Sequence, residues 1–512
     1  MKTKNLSRIT LIVMIVTLCG KALGFFREVL IGKYFGASYK ADALFTALSI
    51  PTIIFSSIAF ACGTAFIPVY SKIRQNKGDS EGNKFTNNLL NLVCCISLII
   101  TFICLIFSKE IVSIFSIGFD KRTFDLANEL TKIIAPTILF VGIANIMTSY
   151  LQANERYFIP NIVLIPQNLV IIFAVLYSAS LDVQGVVWAY VAGAILQVIM
   201  LLVAMKKSGY SYNLHFDMRE ENMSALYKLF GPILISTSVQ QLSTMVDRSL
   251  ASTLEKGSVA VFNYASTLNN FVFGIVSISI ATIIYPILSN AVAKKDYTVF
   301  GKTLKTALEF VNILIMPLVT ILLVLNFQIV EVIFERGAFQ SNTTKLTASV
   351  LCYYCIGMLF FGYRDILNRV FFSLHDTKTP MYNGILTVIL NIISSVILVK
   401  WYGLVGIALA TSLSAIFTTL LLIYRLNQTE YKFPIRHFGV NFIKCFISCV
   451  VMAMVLYVSY ECIAEFNYSN HFIIRCFNLV LSLFVGAISY IVMLWLLRIN
   501  VMNAIKVKRT ES

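Results

Sequence analysis

The sequence predicts an all-α polytopic membrane protein of about 14 transmembrane helices, built as two six-helix lobes plus two C-terminal helices. Three observations carry that expectation. Apolar stretches long enough to cross a bilayer, about 20 helical residues each, recur along nearly all of the 512 residues. Hydrophobic residues make up 58% of the chain and charged residues only 13%, too few to clothe a soluble core of this size. Short motifs also recur at one offset of roughly 220 residues, the mark of duplicated architecture.

The first apolar run, 9–35, has no small-residue cleavage site after it, so it reads as a helix and not as a removable signal peptide. The second, 43–70, closes on Phe66-Ile-Pro68-Val-Tyr-Ser71, and the third, 86–107, follows a polar loop at 71–85. A longer loop at 108–130 precedes the fourth span, 131–151. The fifth, 159–179, opens after Asn154-Glu-Arg-Tyr-Phe-Ile-Pro160, and the sixth, 185–205, begins Gly185-Val-Val-Trp-Ala. The pattern then repeats. The seventh span is 225–252; the eighth, 258–290, closes on Ile284-Tyr-Pro286-Ile-Leu-Ser289; the ninth and tenth are 308–326 and 345–372. The eleventh, 381–399, opens after His375-Asp-Thr-Lys-Thr-Pro380, and the twelfth, 403–424, carries Gly406-Ile-Ala-Leu-Ala. Spans at 439–460 and 472–497 lie outside the repeat. The expected organisation is an N-lobe at 1–205, a cytoplasmic linker at 206–224, a C-lobe at 225–424, and residues 425–512 holding the last two helices and a tail.

Each repeat has six spans, an even number, so both enter the membrane in one orientation. That is the parallel-repeat arrangement of transporters, with a site at the interface of the halves. The N-terminus, alternate loops and the C-terminal tail hold about 23 Lys and Arg against about 7 on the other side, which places both termini of this inner-membrane protein in the cytoplasm. The net charge of +16 reads as this topology signal and as attraction to anionic membrane lipids, not as a nucleic-acid footprint. The 11 Cys are scattered through apolar spans as small buried hydrophobes, and the four His have no zinc-ligand spacing.

Ionisable groups inside spans cost about 2.5–3.5 kcal/mol each on insertion scales and need partners or water. Lys21, Arg27 and Glu28 stand deep in the first span; Lys21, Gly24 and Glu28 share a helical face, with Arg27 flanking it. Asp42 follows at the start of the second span. The offset pairs Arg27-Glu28 with Asp247-Arg248, and Arg364, Asp365 and Arg369 form another cluster in the tenth span. One reading is local ion pairs, Arg27 with Glu28 or Asp42 and Arg364 with Asp365. The other, favoured for Lys21 and Arg27 because cations outnumber anions, is a water-filled cavity that receives an anion.

The residues Leu23-Gly-Phe-Phe-Arg27-Glu28, Ala41-Asp42-Ala43, Ala65-Phe-Ile-Pro68-Val-Tyr-Ser71, Asp247-Arg-Ser-Leu-Ala-Ser252, Phe334-Glu-Arg-Gly-Ala-Phe339 and Arg369-Val-Phe-Phe-Ser-Leu-His-Asp376-Thr-Lys-Thr-Pro380 resemble the lipid II flippase (MurJ/MviN) family of the multidrug/oligosaccharidyl-lipid/polysaccharide exporter superfamily. The resemblance covers essentially the whole chain. It implies a flippase that carries the undecaprenyl-pyrophosphate-linked peptidoglycan precursor from the inner to the outer leaflet by alternating access, acting as a monomer. It implies a cationic cavity at Lys21, Arg27, Glu28 and Asp42, to which Arg248 and Arg364 are candidate additions. Two cavity arginines of the family pattern are replaced, at Phe55-Ser56 and at Thr267, which keeps another lipid-linked oligosaccharide in view as cargo. No organic cofactor is expected. Na+ is implied as a coupling ion, held by Asp247, Asn391, Ser395, the Ile407 carbonyl and Thr411, although Ser395 stands where the pattern has a carboxylate.

Two other classes compete. A multidrug/cation antiporter shares the repeat but uses a carboxylate-rich site, whereas the first lobe here leans cationic. A membrane glycosyltransferase needs a catalytic constellation in an exposed loop, and the 108–130 loop offers only Glu110, Asp120, Asp125 and Glu129 in no recognisable arrangement.

Overall fold

The computed structural model describes residues 2–213, 216–217, 221–294, 297–433, 435–466 and 472–499, for some of which only the backbone is described. The C-terminal tail counted in the charge asymmetry lies outside the described residues. The chain divides into two compact units, Met1–Ala260 and Val261–Ser512.

Among the described residues the structure is entirely helical. The first unit holds α1 (Lys2–Phe35), α2 (Tyr39–Ile106), α3 (Ser108–Phe115), α4 (Lys121–Ile134), α5 (Thr137–Ala153), α6 (Phe158–Ile162), α7 (Leu164–Leu176), α8 (Ser178–Lys206) and α9 (Glu221–Ser252), together with the first turn of α10 (Ser258–Ala293). The remainder of α10 is followed by α11 (Tyr297–Val324), α12 (Asn326–Phe334), α13 (Ser341–Ser373), α14 (Lys378–Tyr402), α15 (Leu404–Asn427), α16 (Ile435–Phe466) and α17 (Phe472–Leu496). Every one of the fourteen expected spans falls on a helix. Nine helices among the described residues are long and apolar enough to cross a membrane, or ten if α4 and α5, bent by 42° before Thr137, count as one. The long α2 alone carries two expected spans.

The 71–85 segment, expected as a loop, is helical on both sides of a single break. At Gly78 the backbone turns to φ 84°, ψ 179°, a conformation that glycine alone adopts without strain, and Arg74 reaches over the break to Asp79 at 2.6 Å. The 108–130 stretch likewise contains α3 and most of α4. These are short amphipathic helices whose apolar residues are too few to read as spans.

The duplication is written in the backbone as well as in the sequence. Left-handed residues recur about 220 positions apart: Gly36 with Gly257, Glu155 with His375, and Asp182 with Gly403. Glu155 and His375 end helices in the same Schellman geometry, with Arg156 N–H donating to Leu151 O at 2.8 Å and Asp376 N–H to Phe371 O at 3.0 Å. Asp376 then accepts from the Lys378 and Thr379 amides, both at 3.0 Å, and so caps α14. In Phe334–Phe339 the two rings stack 5.4 Å apart, Arg336 donates to the last carbonyls of α12, and Glu335 accepts from Thr344 at 2.6 Å. The motifs 334–339 and 369–380 are therefore helix corners.

At one end of the first unit Phe66 stacks between Tyr70 and Phe85, and Tyr70, Tyr150 and Tyr210 continue edge to face. Beside this core Asn83, Asn87, Asn88 and Asn91, one stripe of α2, fasten the segment after α8. Asn83 and Asn87 donate to the Gly209 and Ser211 carbonyls, Asn88 exchanges two hydrogen bonds with the Asp217 backbone, and Tyr212 donates to Asn91. The beginning of the expected linker is thus part of the first unit's fabric. In the second unit, α16 and α17 are anchored by Arg475–Glu331 at 2.7 Å, by Tyr490 donating to Ile313 O at 3.1 Å, and by Asn441 on Glu309.

Candidate functional site

In the first unit α1 lies along α6 and α7, and small or polar residues make the seam. Thr17 donates to Asn161 at 3.0 Å, Gly20 faces Leu164, and Gly24 faces Asn168. One turn further on, Arg27 donates from Nη1 to Asn168 Oδ1 at 3.0 Å and from Nη2 to Glu28 Oε1 at 2.8 Å, and its guanidinium lies 5.0 Å from the centre of the Tyr190 ring. Glu28 is buried and the Arg27 side chain keeps 21% exposure. The cavity-facing cation expected from the sequence is thus corrected in part. Arg27 is paired and stacked, because a guanidinium at membrane depth is stabilised only by such partners. Lys21 is exposed on the flank of the seam.

Asp42 belongs to a different place. Buried at the start of α2, it accepts from the Gly257 amide at 2.6 Å and the Ala260 amide at 2.8 Å. The Ala260 amide is a first-turn donor of α10 with no partner inside the helix, the Gly257 amide lies just before that helix, and the positive end of the helix dipole favours the carboxylate there. The expectation that Asp42 lines a cationic cavity or pairs with Arg27 therefore gives way to a cap that fixes the α9–α10 turn on α2. Gly257, at φ 90°, sits so close to Ala37 that a Cβ would fall 2.4 Å from the Ala37 carbonyl oxygen. Nearby Arg248, half-buried on α9, donates to the Phe45 carbonyl of α2 at 2.9 Å, and Asp247 is buried beside it.

In the second unit the mutual pair expected of Arg364 and Asp365 is not formed. Asp365 pairs with Arg369, one helical turn on, at 3.4 Å, while Arg364 stacks over Phe361 at 5.3 Å. Residues four apart lie on one face of a helix, which puts Arg369 within reach of Asp365. Of the residues implied for Na+, the structure brings Asn391, Thr411 and Ile407 together. Asn391 Nδ2 donates to Thr411 Oγ1 at 3.0 Å, and that hydroxyl donates to the Ile407 carbonyl at 3.1 Å; Ser395 is fully buried. A donor turned toward the oxygens, with no carboxylate anywhere on α14 or α15, makes this set a polar helix–helix contact. Asn391, Thr411 and Ile407 thus hydrogen-bond to one another between the two helices. Asp247 belongs to the first unit. Among the described residues no three His, Cys, Asp or Glu side chains gather as a metal site.

Of the two replaced arginine positions, Phe55 is fully buried, packed where a Cβ on Gly142 would come within 2.8 Å of its ring, while Ser56 and Thr267 are half-buried. Sequence reasoning missed Asn168 and Tyr190, the groups that hold Arg27. The available signal was a polar amide in the middle of the most apolar stretch of the fifth span.

The model of the family described as "Lipid II flippase MurJ" matches residues 31–477. The chain belongs to the lipid II flippase family. A probable lipid II flippase MurJ of Buchnera aphidicola subsp. Baizongia pistaciae is 29% identical over 488 residues, covering 93% of this chain and 95% of that relative. The lipid II flippase MurJ of Thermosipho africanus is 28% identical, covering 87% and 89%. Among solved structures, a lipid II flippase MurJ in an inward closed conformation superposes with a TM-score of 0.80 at 27% identity, covering 95% of this chain and 99% of that one. An inward-facing multidrug resistance MATE family transporter of the MOP superfamily gives 0.69 at 13% identity, over 81% of this chain and 98% of that one. That likeness is one of fold alone.

Proposed function

We propose that this protein flips lipid II, the undecaprenyl-pyrophosphate-linked peptidoglycan precursor, from the inner to the outer leaflet of the bacterial inner membrane by alternating access. Family membership across residues 31–477 carries the reading, and the fold supports it, since a duplicated membrane body suits alternating access. The charge asymmetry puts both termini in the cytoplasm, so Ala37, Asp42 and Gly257 lie toward the outer side. There the α9–α10 turn is locked on α2. In the proposed cycle this latch is closed while cargo loads from the cytoplasmic side, and its release lets the cargo leave outward. Arg27 supplies a held guanidinium with N–H groups left over for a phosphate oxygen, and Lys21 adds an exposed cation on the same helix. The outward move carries negative charge, so a potential negative inside assists it by about 2.3 kcal/mol per charge per 100 mV.

A second cargo, another lipid-linked oligosaccharide, is favoured by one observation: Ser56 and Thr267 are neutral where the family pattern has cations. Depletion separates the two. The account requires lipid II to accumulate on the cytoplasmic face, and accumulation of a different lipid-linked glycan with lipid II unchanged refutes it.

A further inference from the structure

We propose that Asn168 and Tyr190 are positioning residues that hold the Arg27 guanidinium in place for an anionic head group. The inference rests on the reading of Arg27 as a phosphate contact. Glu28 cannot do this work alone. It is the next residue of the same helix, so an Arg27–Glu28 pair moves as one body with α1. Asn168 on α7 and Tyr190 on α8 are the contacts that fix the guanidinium with respect to the rest of the unit. Asn168 is itself oriented, because its Nδ2 donates to the Leu164 carbonyl at 2.8 Å, which turns Oδ1 toward Arg27. It is 8% exposed, so water does not compete for that bond.

The choice of an amide is the informative point. A carboxylate at 168 would accept the same hydrogen bond more strongly, but it would surround Arg27 with two anions and cancel the charge that an anionic ligand needs. Asparagine supplies the geometry without the charge. Tyr190 does the same through its ring face, which attracts a cation without carrying charge, and its hydroxyl is buried with no hydrogen-bond partner among the described residues. Each terminal nitrogen of Arg27 keeps a second N–H beyond its bond to Asn168 or Glu28, the donor pattern that a planar or tetrahedral oxyanion accepts.

The test uses full-length purified protein in detergent and farnesyl pyrophosphate as the probe. Asn168→Leu and Asn168→Asp each weaken its affinity by about ten-fold or more. A merely structural hydrogen bond would predict the opposite for Asp, with binding retained. In an Arg27→Ala background neither change has a further effect, the signature of coupled residues. Tyr190→Leu weakens binding several-fold and Tyr190→Phe recovers most of it. Asn161→Leu, which removes the Thr17 bond on the same seam, leaves the affinity unaltered. If Arg27→Ala binds the probe as the wild type does, the reading of Arg27 itself fails. If Arg27→Ala loses binding but the Asn168 variants keep it, or lose it equally without Arg27, the positioning role is overturned.

Discussion

Replacing Asp42 by Asn removes one charge and one acceptor from a carboxylate that serves two backbone amides, at 2.6 and 2.8 Å, while staying isosteric. The new amide group also turns a donor toward the donors of α10. Hydrogen bonds to a charged group contribute about 1.5–3 kcal/mol, and part of that remains with the surviving oxygen. A net loss of about 2 kcal/mol raises the population in which the α9–α10 turn is released by roughly 30-fold. Ser258, buried beside the cap, reports on it directly. With the native cysteines replaced, Ser258→Cys in detergent should react with a water-soluble maleimide about 30-fold faster when Asp42 is Asn, with the melting temperature nearly unchanged. Labelling within two-fold of the parent would refute the latch. A collapse of the melting temperature would instead make Asp42 a general stabiliser of the first unit.

Other expectations follow from the same geometry. Gly257→Ala forces a Cβ against the Ala37 carbonyl in a left-handed backbone, so it should speed Ser258→Cys labelling as Asp42→Asn does. Asp376 has competing influences: burial pushes its carboxyl up, but hydrogen bonds from Thr379 and from the Thr379 and Lys378 amides hold it below the ordinary carboxylate range. A depressed folded value means its stabilisation is fully present above about pH 4, the unfolded value, and is lost as pH falls through the folded one. Asp376→Asn should therefore lower the melting temperature at pH 7, by a cap's worth of about 1 kcal/mol, and have progressively less effect below pH 4. Asn88→Leu breaks both bonds to the Asp217 backbone and should raise proteolysis beside Asp217 well before global unfolding.

The long apolar helices were legible because hydrophobic length is a local property of the chain, and the duplication was legible because Pro68 and Pro286, or Pro160 and Pro380, stand at nearly one offset. Even the backbone followed, since Gly36 and Gly257 mark equivalent turns. What escaped was the identity of partners. The charge at Arg27 announced itself, but Asn168 lies 141 residues away, and nothing in a single sequence links them. Asp42 is satisfied by backbone amides, which every residue but proline carries and which no composition signal marks. The asparagine stripe at 83, 87, 88 and 91 has helical spacing and was readable as a polar face. Its partners are carbonyls of a segment that looked like a free linker. Helices α3 and α12 were hidden by their length, at 8 and 9 residues.

Flipping can be followed in sealed vesicles containing the purified protein and fluorescent lipid II, read by a membrane-impermeant quencher under an imposed potential. The account predicts transfer above that of protein-free vesicles, acceleration by a potential negative on the side of departure, and loss of transfer in Arg27→Ala despite normal insertion. Transfer no faster than in empty vesicles, or transfer unaffected by Arg27→Ala, would contradict it.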